Sequence, residues 1–199
     1  MKDVLRMAWI LGLVTVLAAG VLGAVNHVTK PRIEEQRRLA LEQALLTALP
    51  KAHPRAIVPV RQGEEIVYYI GYANPDTTDL VGYAFVARGT GYSSEIETLV
   101  GVDSTGRIIG LKILRELETP GLGTKIEEIR YGESDPWFQR QFVGKGARQL
   151  AVDKDGGEIV SVTGATISSR AVTNSIRKGL EELEKRLGGF RQPQAPAAN

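Results

Sequence analysis

The chain has 199 residues, of which 43% are hydrophobic and 24% charged, and its formal net charge is +2. A chain of this length can bury one hydrophobic core and still carry an accessory segment. The small net charge and the interleaving of basic with acidic residues argue against nucleic-acid binding. The sequence contains no cysteine, which excludes disulfides, thiolate-held iron–sulfur clusters, thioether-linked haem and thiol nucleophiles.

The two histidines also argue against a metal centre. His27 follows an apolar segment, and His53 lies between two prolines far along the chain. Because His and Cys dominate transition-metal ligation, we expect no metal site, and any redox cofactor would be organic. The sequence offers no Ser/His/Asp set or carboxylate pair with an evident partner, so we also predict no autonomous catalytic residues.

An apolar segment near the N-terminus predicts a transmembrane anchor. Residues 7–25 carry no charge, and a helix that rises about 1.5 Å per residue just crosses a hydrocarbon core with this length. Lys2 and Arg6 precede the segment and favour a cytoplasmic location for residues 1–6. Basic residues also follow the segment, so charge alone leaves its orientation open. If the N-terminus is cytoplasmic, the polar domain behind the anchor is exported.

A cleaved signal peptide is the alternative interpretation of this segment. Residues 18–20, Ala-Ala-Gly, would suit a peptidase, but the apolar run continues beyond them and exceeds a typical signal core. We therefore favour an uncleaved anchor.

The remaining pattern predicts an α+β fold, one domain of antiparallel β-hairpins flanked by helices. Apolar residues at helical spacing predict a membrane-proximal helix within 26–50, which Pro50 ends. A domain over 51–187 follows, and the Pro/Ala/Gln-rich tail over 188–199 is typical of disorder. Within the domain we predict a linker over 51–59, strands over 66–70 and 80–87, and a hairpin over 97–114. A short helix should begin at Trp137, after the helix-start signal Ser134-Asp135-Pro136. We then predict a second hairpin, with arms over 149–153 and 158–162 and a turn at 155–157, and a final helix over 168–187.

Small and hydroxyl residues precede the last predicted helix, in the run Thr163-Gly164-Ala165-Thr166-Ile167-Ser168-Ser169. Small residues let a ligand approach the backbone closely. The first N–H groups of a helix have no partner inside it, and with the helix dipole they favour a bound phosphate. An ordinary turn with Thr166 or Ser168 as the helix N-cap explains the same residues.

Two further glycine-containing segments are candidates for ligand contact. Residues 118–125 (ETPGLGTK) follow a strand, and their proline and glycines form an exposed turn against which a flat ring fits. Residues 89–94 (GTGYSS) lack the strand-to-helix context and spacing of a dinucleotide fingerprint, and are weak as a phosphate loop. Taken alone, each segment is also compatible with a structural turn.

The order of four motifs carries a family resemblance: GTGYSSEI, GVDSTGRIIGLKILRELETPGLG, WFQRQFVGK and VTGATISSRAV. This order resembles the FMN-binding domain of the G subunit (RnfG) of the Rnf electron-transport complex. The related C subunit (NqrC) of the sodium-pumping NADH:quinone oxidoreductase shares the pattern. The resemblance covers about residues 4–187 and includes the anchor and the helix that ends before Pro50.

The resemblance implies a cofactor, covalently bound FMN, and a set of residues that hold it. In the family, the last Thr of the S/T-G-A-T motif bears FMN through a phosphoester bond, and this residue matches Thr166. The implied phosphate neighbours are Thr163, Gly164, Ala165 and Ser168, and the implied neighbours of the ring or its approach are Glu118, Thr119, Leu122 and Gly123. Trp137 and Tyr92 are candidates for stacking, although core packing explains each at least as well. Lys145 and Arg170 are candidates for balancing the phosphate charge, although a solvated surface position explains each better.

The resemblance also implies partners and a location. It implies the membrane and iron–sulfur subunits of an Rnf complex, a flavin transferase for maturation, and a single-pass protein of the cytoplasmic membrane with the flavin domain on its outer face. One position departs from the family: the Asp common three residues before the S/T is Val160 here, with Glu158 two residues earlier. The related quinone-reductase carrier, a membrane-tethered flavin sensor or assembly factor, and a purely structural domain remain alternatives.

Overall fold

The computed structural model describes residues 2–190. Helix α1 (Lys2–Ala48) is continuous through Pro31, so the predicted anchor and membrane-proximal helix form one helix. The N-terminal helix is long and apolar enough to cross a membrane. The chain divides into two compact units, the first ending at Leu41 and the second beginning at Glu42.

The second unit is built on one antiparallel sheet in which neighbours in sequence are neighbours in space. Its strand order is β1-β2-β3-β4-β5, which confirms the α+β fold class, the two predicted strands and the 97–114 hairpin. The strands are β1 (Ile57–Gln62), β2 (Glu65–Tyr72), β3 (Leu80–Thr90), β4 (Glu95–Asp103) and β5 (Ile108–Arg115).

The linker predicted over 51–59 was wrong at its C-terminal end, because β1 begins at Ile57. This strand lies at one edge of the sheet and most of its residues are exposed, so it lacks the alternating buried pattern by which strands are recognised. Pro59 is tolerated there because an edge strand leaves one side of its backbone without a ladder partner.

Each face of the sheet is covered by a helix. Helix α3 (Thr166–Leu187) buries Val172, Ile176 and Leu180 in a core shared with Phe85 of β3. The opposite face receives the C-terminal end of α1, where Ala44, Leu45 and Ala48 are buried. The sheet is therefore fixed from both sides within the second unit.

The segment between β5 and α3 contains little regular structure. The predicted short helix is present as α2 (Trp137–Arg140), although the Ser134 hydroxyl donates to Asp135 and does not cap it. The predicted second hairpin was wrong. An isolated pairing joins Val152 to Ile159, and the Val152 carbonyl accepts N–H groups from both 155 and 157. These bonds close a tight turn immediately after Val152. A hairpin would instead require extended backbone on both sides of residues 155–157.

Helix α3 ends at two glycines with positive φ, 72° at Gly188 and 110° at Gly189. Phe190 follows and its ring lies against Gly106 of the β4–β5 turn. The rest of the tail predicted to be disordered, 191–199, lies outside the described residues.

Candidate functional site

A cleft of about 520 Å³ lies where the β3–β4 turn, the segment after β5 and the start of α3 meet. This volume is within the range of sites that hold small molecules and cofactors. Every residue that the resemblance implies as a neighbour of the phosphate or the ring lines the cleft except Thr163, which is exposed and precedes the lining residue Gly164. The lining residues are Tyr92, Glu118, Thr119, Leu122, Gly123, Gly164, Ala165, Thr166, Ile167 and Ser168. Ile167 was not predicted, since nothing in the motif marks it apart from its neighbours.

Thr166 is the first residue of α3, and the helix start around it is uncapped. Ala165 occupies the N-cap position and has no side chain able to accept a hydrogen bond. Within residues 2–190, the backbone N–H groups of Thr166, Ile167 and Ser168 find no acceptor, and the first helical bond runs from Ser169 N to Ala165 O at 2.9 Å. The expectation that Thr166 or Ser168 is the N-cap was therefore wrong. Three backbone donors without an acceptor, together with the positive end of the helix dipole, therefore belong to residues that line the cleft.

The turn that leads into α3 is fixed by Ser169, which is fully buried. Its hydroxyl donates to Ala165 O at 2.9 Å and accepts from Val162 N at 3.0 Å. Gly164 supplies the left-handed backbone of this turn with φ of 80°, a conformation that L side chains rarely adopt. The small residues of the motif thus form the hydrogen-bonded turn that leads to Thr166.

Glu118 lies in the segment after β5, and its carboxylate binds the other two segments of the cleft. Oε1 accepts the backbone N–H groups of Ser93 and Ser94, both at 3.0 Å, and the Ser94 hydroxyl at 3.3 Å. Oε2 accepts the Tyr92 N–H at 3.1 Å and the Ser168 hydroxyl at 2.6 Å. Glu118 is 4% exposed, and a buried carboxylate is tolerated there because both of its oxygens are hydrogen-bonded.

These contacts also determine the charge of Glu118. Burial by itself raises the pKa of the carboxyl group, but the hydrogen bonds from Ser168, Ser93, Ser94 and Tyr92 outweigh it and hold the pKa below its usual value. The group is therefore ionised at neutral pH. The Ser168 hydroxyl, expected to donate to a phosphate, instead donates to Glu118.

The glycines of the two exposed loops make room for this carboxylate. A Cβ on Gly91 would lie 2.5 Å from Glu118 Oε1, and one on Gly123 would lie 2.5 Å from Glu118 Cβ. Ser93 and Thr119 also join their hydroxyls at 3.2 Å. The N–H groups of residues 92–94 do bind an anion, but that anion is the protein's own Glu118.

The aromatic and basic candidates divide into one that lines the cleft and three that do not. Tyr92 lies at its rim and is 72% exposed. Trp137 lies outside the lining, and the Arg130 guanidinium stacks 3.8 Å from the centre of its ring. Lys145 pairs with Glu158. Arg170 likewise forms an ion pair with Asp155, 2.7 Å away, and lies outside the lining.

No group of three or more His, Cys, Asp or Glu side chains suited to a metal ion occurs within the described part of the chain. Val160, which replaces the family's Asp, is 52% exposed, and its backbone is bonded to the Gln141 side chain in both directions. An acidic side chain at this position is therefore not required by the packing of the domain.

Two family models match this architecture. Residues 91–181 match the FMN-binding domain, and residues 1–47 match the RnfG N-terminal region. The first match contains the whole cleft, and the second contains α1 almost to its end. The class defined by the fold and the site is thus an FMN-binding domain preceded by an apolar N-terminal helix.

Relatives of nearly the same length carry the assignment further. The chain is 32% identical over 197 residues to the G subunit of the Na⁺-translocating ferredoxin:NAD⁺ oxidoreductase complex of Acetobacterium woodii, covering 90% of this chain and 91% of the relative. It is 31% identical over 189 residues to the G subunit of the ion-translocating oxidoreductase complex of Escherichia coli, covering 89% and 90%. The chain belongs to the RnfG family, as its motifs indicated.

A solved structure supports the fold independently. The C subunit of the Na⁺-translocating NADH-quinone reductase from Parabacteroides distasonis aligns with a TM-score of 0.57 at 20% identity, covering 80% of this chain and 98% of that one. At this identity the likeness concerns the fold alone.

Proposed function

We propose that this chain is the covalent-FMN electron carrier of an Rnf-type ion-translocating ferredoxin:NAD oxidoreductase complex, with the flavin joined by a phosphoester bond to Thr166 Oγ1. The observation that carries the proposal is the position of Thr166. It lies in the cleft, at the first residue of a 22-residue helix whose leading N–H groups have no acceptor within residues 2–190.

The residues of the cleft fit such a cofactor. The N–H groups of Thr166, Ile167 and Ser168 offer hydrogen bonds to phosphate oxygens, and the dipole of α3 favours the negative charge. Leu122 and Tyr92 provide an apolar and an aromatic wall for a flat ring. When bound, the isoalloxazine supplies one- and two-electron chemistry, while the protein sets its position and environment.

Attachment requires an activated flavin nucleotide and an enzyme. The bond between Thr166 Oγ1 and the flavin's phosphorus forms while the bond from that phosphorus to the donor's leaving group breaks. The threonine proton passes to a base of the transferase or to the leaving group. Because Thr166 borders an open cleft, an external enzyme can reach it, which agrees with maturation by a flavin transferase.

The location follows from α1. We propose that α1 anchors the protein in the cytoplasmic membrane with a cytoplasmic N-terminus and with the flavin domain on the outer face. A covalent bond then prevents loss of the cofactor outside the cell, where free FMN is scarce. Electron-transfer partners are the membrane and iron–sulfur subunits of the same complex, the assemblies for which the relatives are named.

The experiment is co-expression of the full chain with a flavin transferase, followed by mass spectrometry of the peptide that contains Thr166. We expect an FMN adduct on wild type and none on Thr166→Val, which removes the hydroxyl but keeps the side-chain shape. Thr78→Val is the matched control, because Thr78 is an exposed threonine in the β2–β3 turn and should leave the adduct unchanged. An adduct that survives in Thr166→Val, or no adduct on wild type, would overturn the assignment.

A further inference from the structure

Three segments that are remote in sequence meet on one carboxylate at the cleft. Glu118 binds residues 92–94, which lie 24–26 positions before it, and Ser168, 50 positions after it. Resting on the function proposed above, we propose that Glu118 is the positioning residue for flavin attachment. It keeps the β3–β4 turn and the start of α3 in the arrangement that leaves the N–H groups of α3 free for the phosphate.

The first effect of Glu118 is on Ser168. This hydroxyl belongs to the first turn of α3, where a serine side chain readily bonds to nearby backbone groups. Glu118 Oε2 accepts its hydrogen bond at 2.6 Å, and Ser168 is 1% exposed. The hydroxyl is thus turned into the protein, and the donors beside Thr166 stay uncovered.

The second effect is on the β3–β4 turn. Three successive backbone N–H groups that converge on one point form a typical anion-binding nest. In this chain Glu118 fills the nest formed by Tyr92, Ser93 and Ser94. A phosphate entering the cleft therefore meets the free backbone donors of α3, and not those of the nest. Tyr92, whose backbone is held by the same carboxylate, stays at the rim.

The third observation is the close fit around Glu118. Gly91 and Gly123 approach it from opposite loops, and a Cβ at either would lie 2.5 Å from a Glu118 atom. By contrast, a Cβ on Gly121 in the same loop would meet nothing within 4 Å. The close approach is therefore confined to the two glycines that lie against Glu118.

Glu118→Gln tests the proposal because it keeps the shape of the side chain and removes the charge. An amide offers only one acceptor oxygen. Its NH₂ group would face N–H or O–H donors at the position where the second carboxylate oxygen accepted their hydrogen bonds. We expect hydrogen–deuterium exchange of the flavin-free full chain in detergent to show at least about tenfold lower protection at residues 92–94, from the loss of charge-assisted bonds. Protection at Val172 and Ile176 in the core should be unchanged.

The pH dependence separates a charged positioning group from a packing role. In wild type, protection at residues 92–94 should fall as the pH drops through the Glu118 pKa, which lies below its usual value, whereas in Glu118→Gln it should not follow that titration. With the transferase present, the variant should carry several-fold less FMN than wild type in a time course. Gly123→Ala should reproduce the loading defect by displacing Glu118. Gly146→Ala, whose φ is −106° and whose added Cβ would lie 3.9 Å from the nearest atom, should not.

The outcomes distinguish this proposal from the proposed function. If wild type carries no FMN on Thr166, the proposed function itself fails. If wild type is loaded and Glu118→Gln is loaded at the same rate, the positioning role is overturned, whatever the exchange data show. Unchanged protection at residues 92–94 in Glu118→Gln also overturns it. Thr166→Val should lose the adduct and retain full protection at residues 92–94, because it leaves the Glu118 contacts intact.

Discussion

Gly101 of β4 and Ala48 at the end of α1 pack backbone against backbone, with the Ala48 carbonyl oxygen in the space that a Cβ on Gly101 would occupy. Gly110 of β5 lies against the same turn of α1, and Gly71 of β2 lies against Leu49. The C-terminal end of α1 is therefore seated on a strip of the sheet that has no side chains. This contact lies wholly within the second compact unit.

Gly101→Ala should destabilise the domain by about 3 kcal/mol, because the added methyl meets backbone that cannot rotate away. Denaturant unfolding of the full chain in detergent measures the change. Gly146→Ala is the matched control: its φ is −106° and the nearest atom to an added Cβ is 3.9 Å away. It should change the free energy of unfolding by less than about 0.5 kcal/mol. Equal stability of the two variants would contradict the seating of α1 on Gly101.

Thr98 carries a hydroxyl without a partner in the core between β3 and β5. It is fully buried, and its Oγ1 finds no hydrogen bond in the described residues. Thr98→Val keeps the shape and removes the desolvated group, so it should stabilise the domain by about 1 kcal/mol. Thr173→Val is the control, since the Thr173 hydroxyl is equally buried but donates to Ser169 O at 2.8 Å; it should destabilise by about 1 kcal/mol. A loss of stability in Thr98→Val would show that the hydroxyl is satisfied.

Glu127 should make stability depend on pH in the opposite sense from Glu118. Burial, with a contribution from Glu116, raises the Glu127 pKa above 4.5 despite Lys112, whose Nζ lies 3.7 Å away. The folded state then holds this proton more tightly than the unfolded state. At a pH below the Glu127 pKa of both states the carboxyl group is protonated in each, and its burial as a charge costs no stability. As the pH rises through the pKa of the folded state, burying the ionised carboxylate lowers the free energy of unfolding.

Glu127→Gln should therefore be more stable than wild type at pH 7, and the difference should disappear in acid. Thermal unfolding at a series of pH values measures this difference. Glu128→Gln, at the exposed neighbouring position, should track wild type throughout. A Glu127→Gln variant that is less stable at pH 7 would mean that the attraction to Lys112 exceeds the cost of burial.

Local sequence patterns marked two of the turns that form the cleft, and the family resemblance assigned them to one site, but neither indicated the bonds that organise it. The small residues around Gly164 and the glycines after Glu118 mark these turns within a few positions, although each segment taken alone is also compatible with a structural turn. The hydrogen bonds that Glu118 accepts from Ser168 and from residues 92–94 join segments that are far apart in the sequence. They depend on long-range packing, which no local sequence pattern encodes. The same reasoning explains β1 and the false second hairpin: an exposed edge strand has no buried alternation, and the backbone around Val152 is satisfied within its own turn.

The orientation of the anchor can be tested with single cysteines, because the natural chain has none. Tyr131 is fully exposed and Asp76 lies in the exposed β2–β3 turn, so Tyr131→Cys and Asp76→Cys should react with a maleimide that cannot cross the cytoplasmic membrane of intact cells. Asp3→Cys, which lies before the apolar segment, should react with the maleimide only after the cells are permeabilised. The reverse pattern would place the flavin domain inside the cell. A mature chain that lacks the Asp3→Cys position altogether would show that the segment is a cleaved signal peptide.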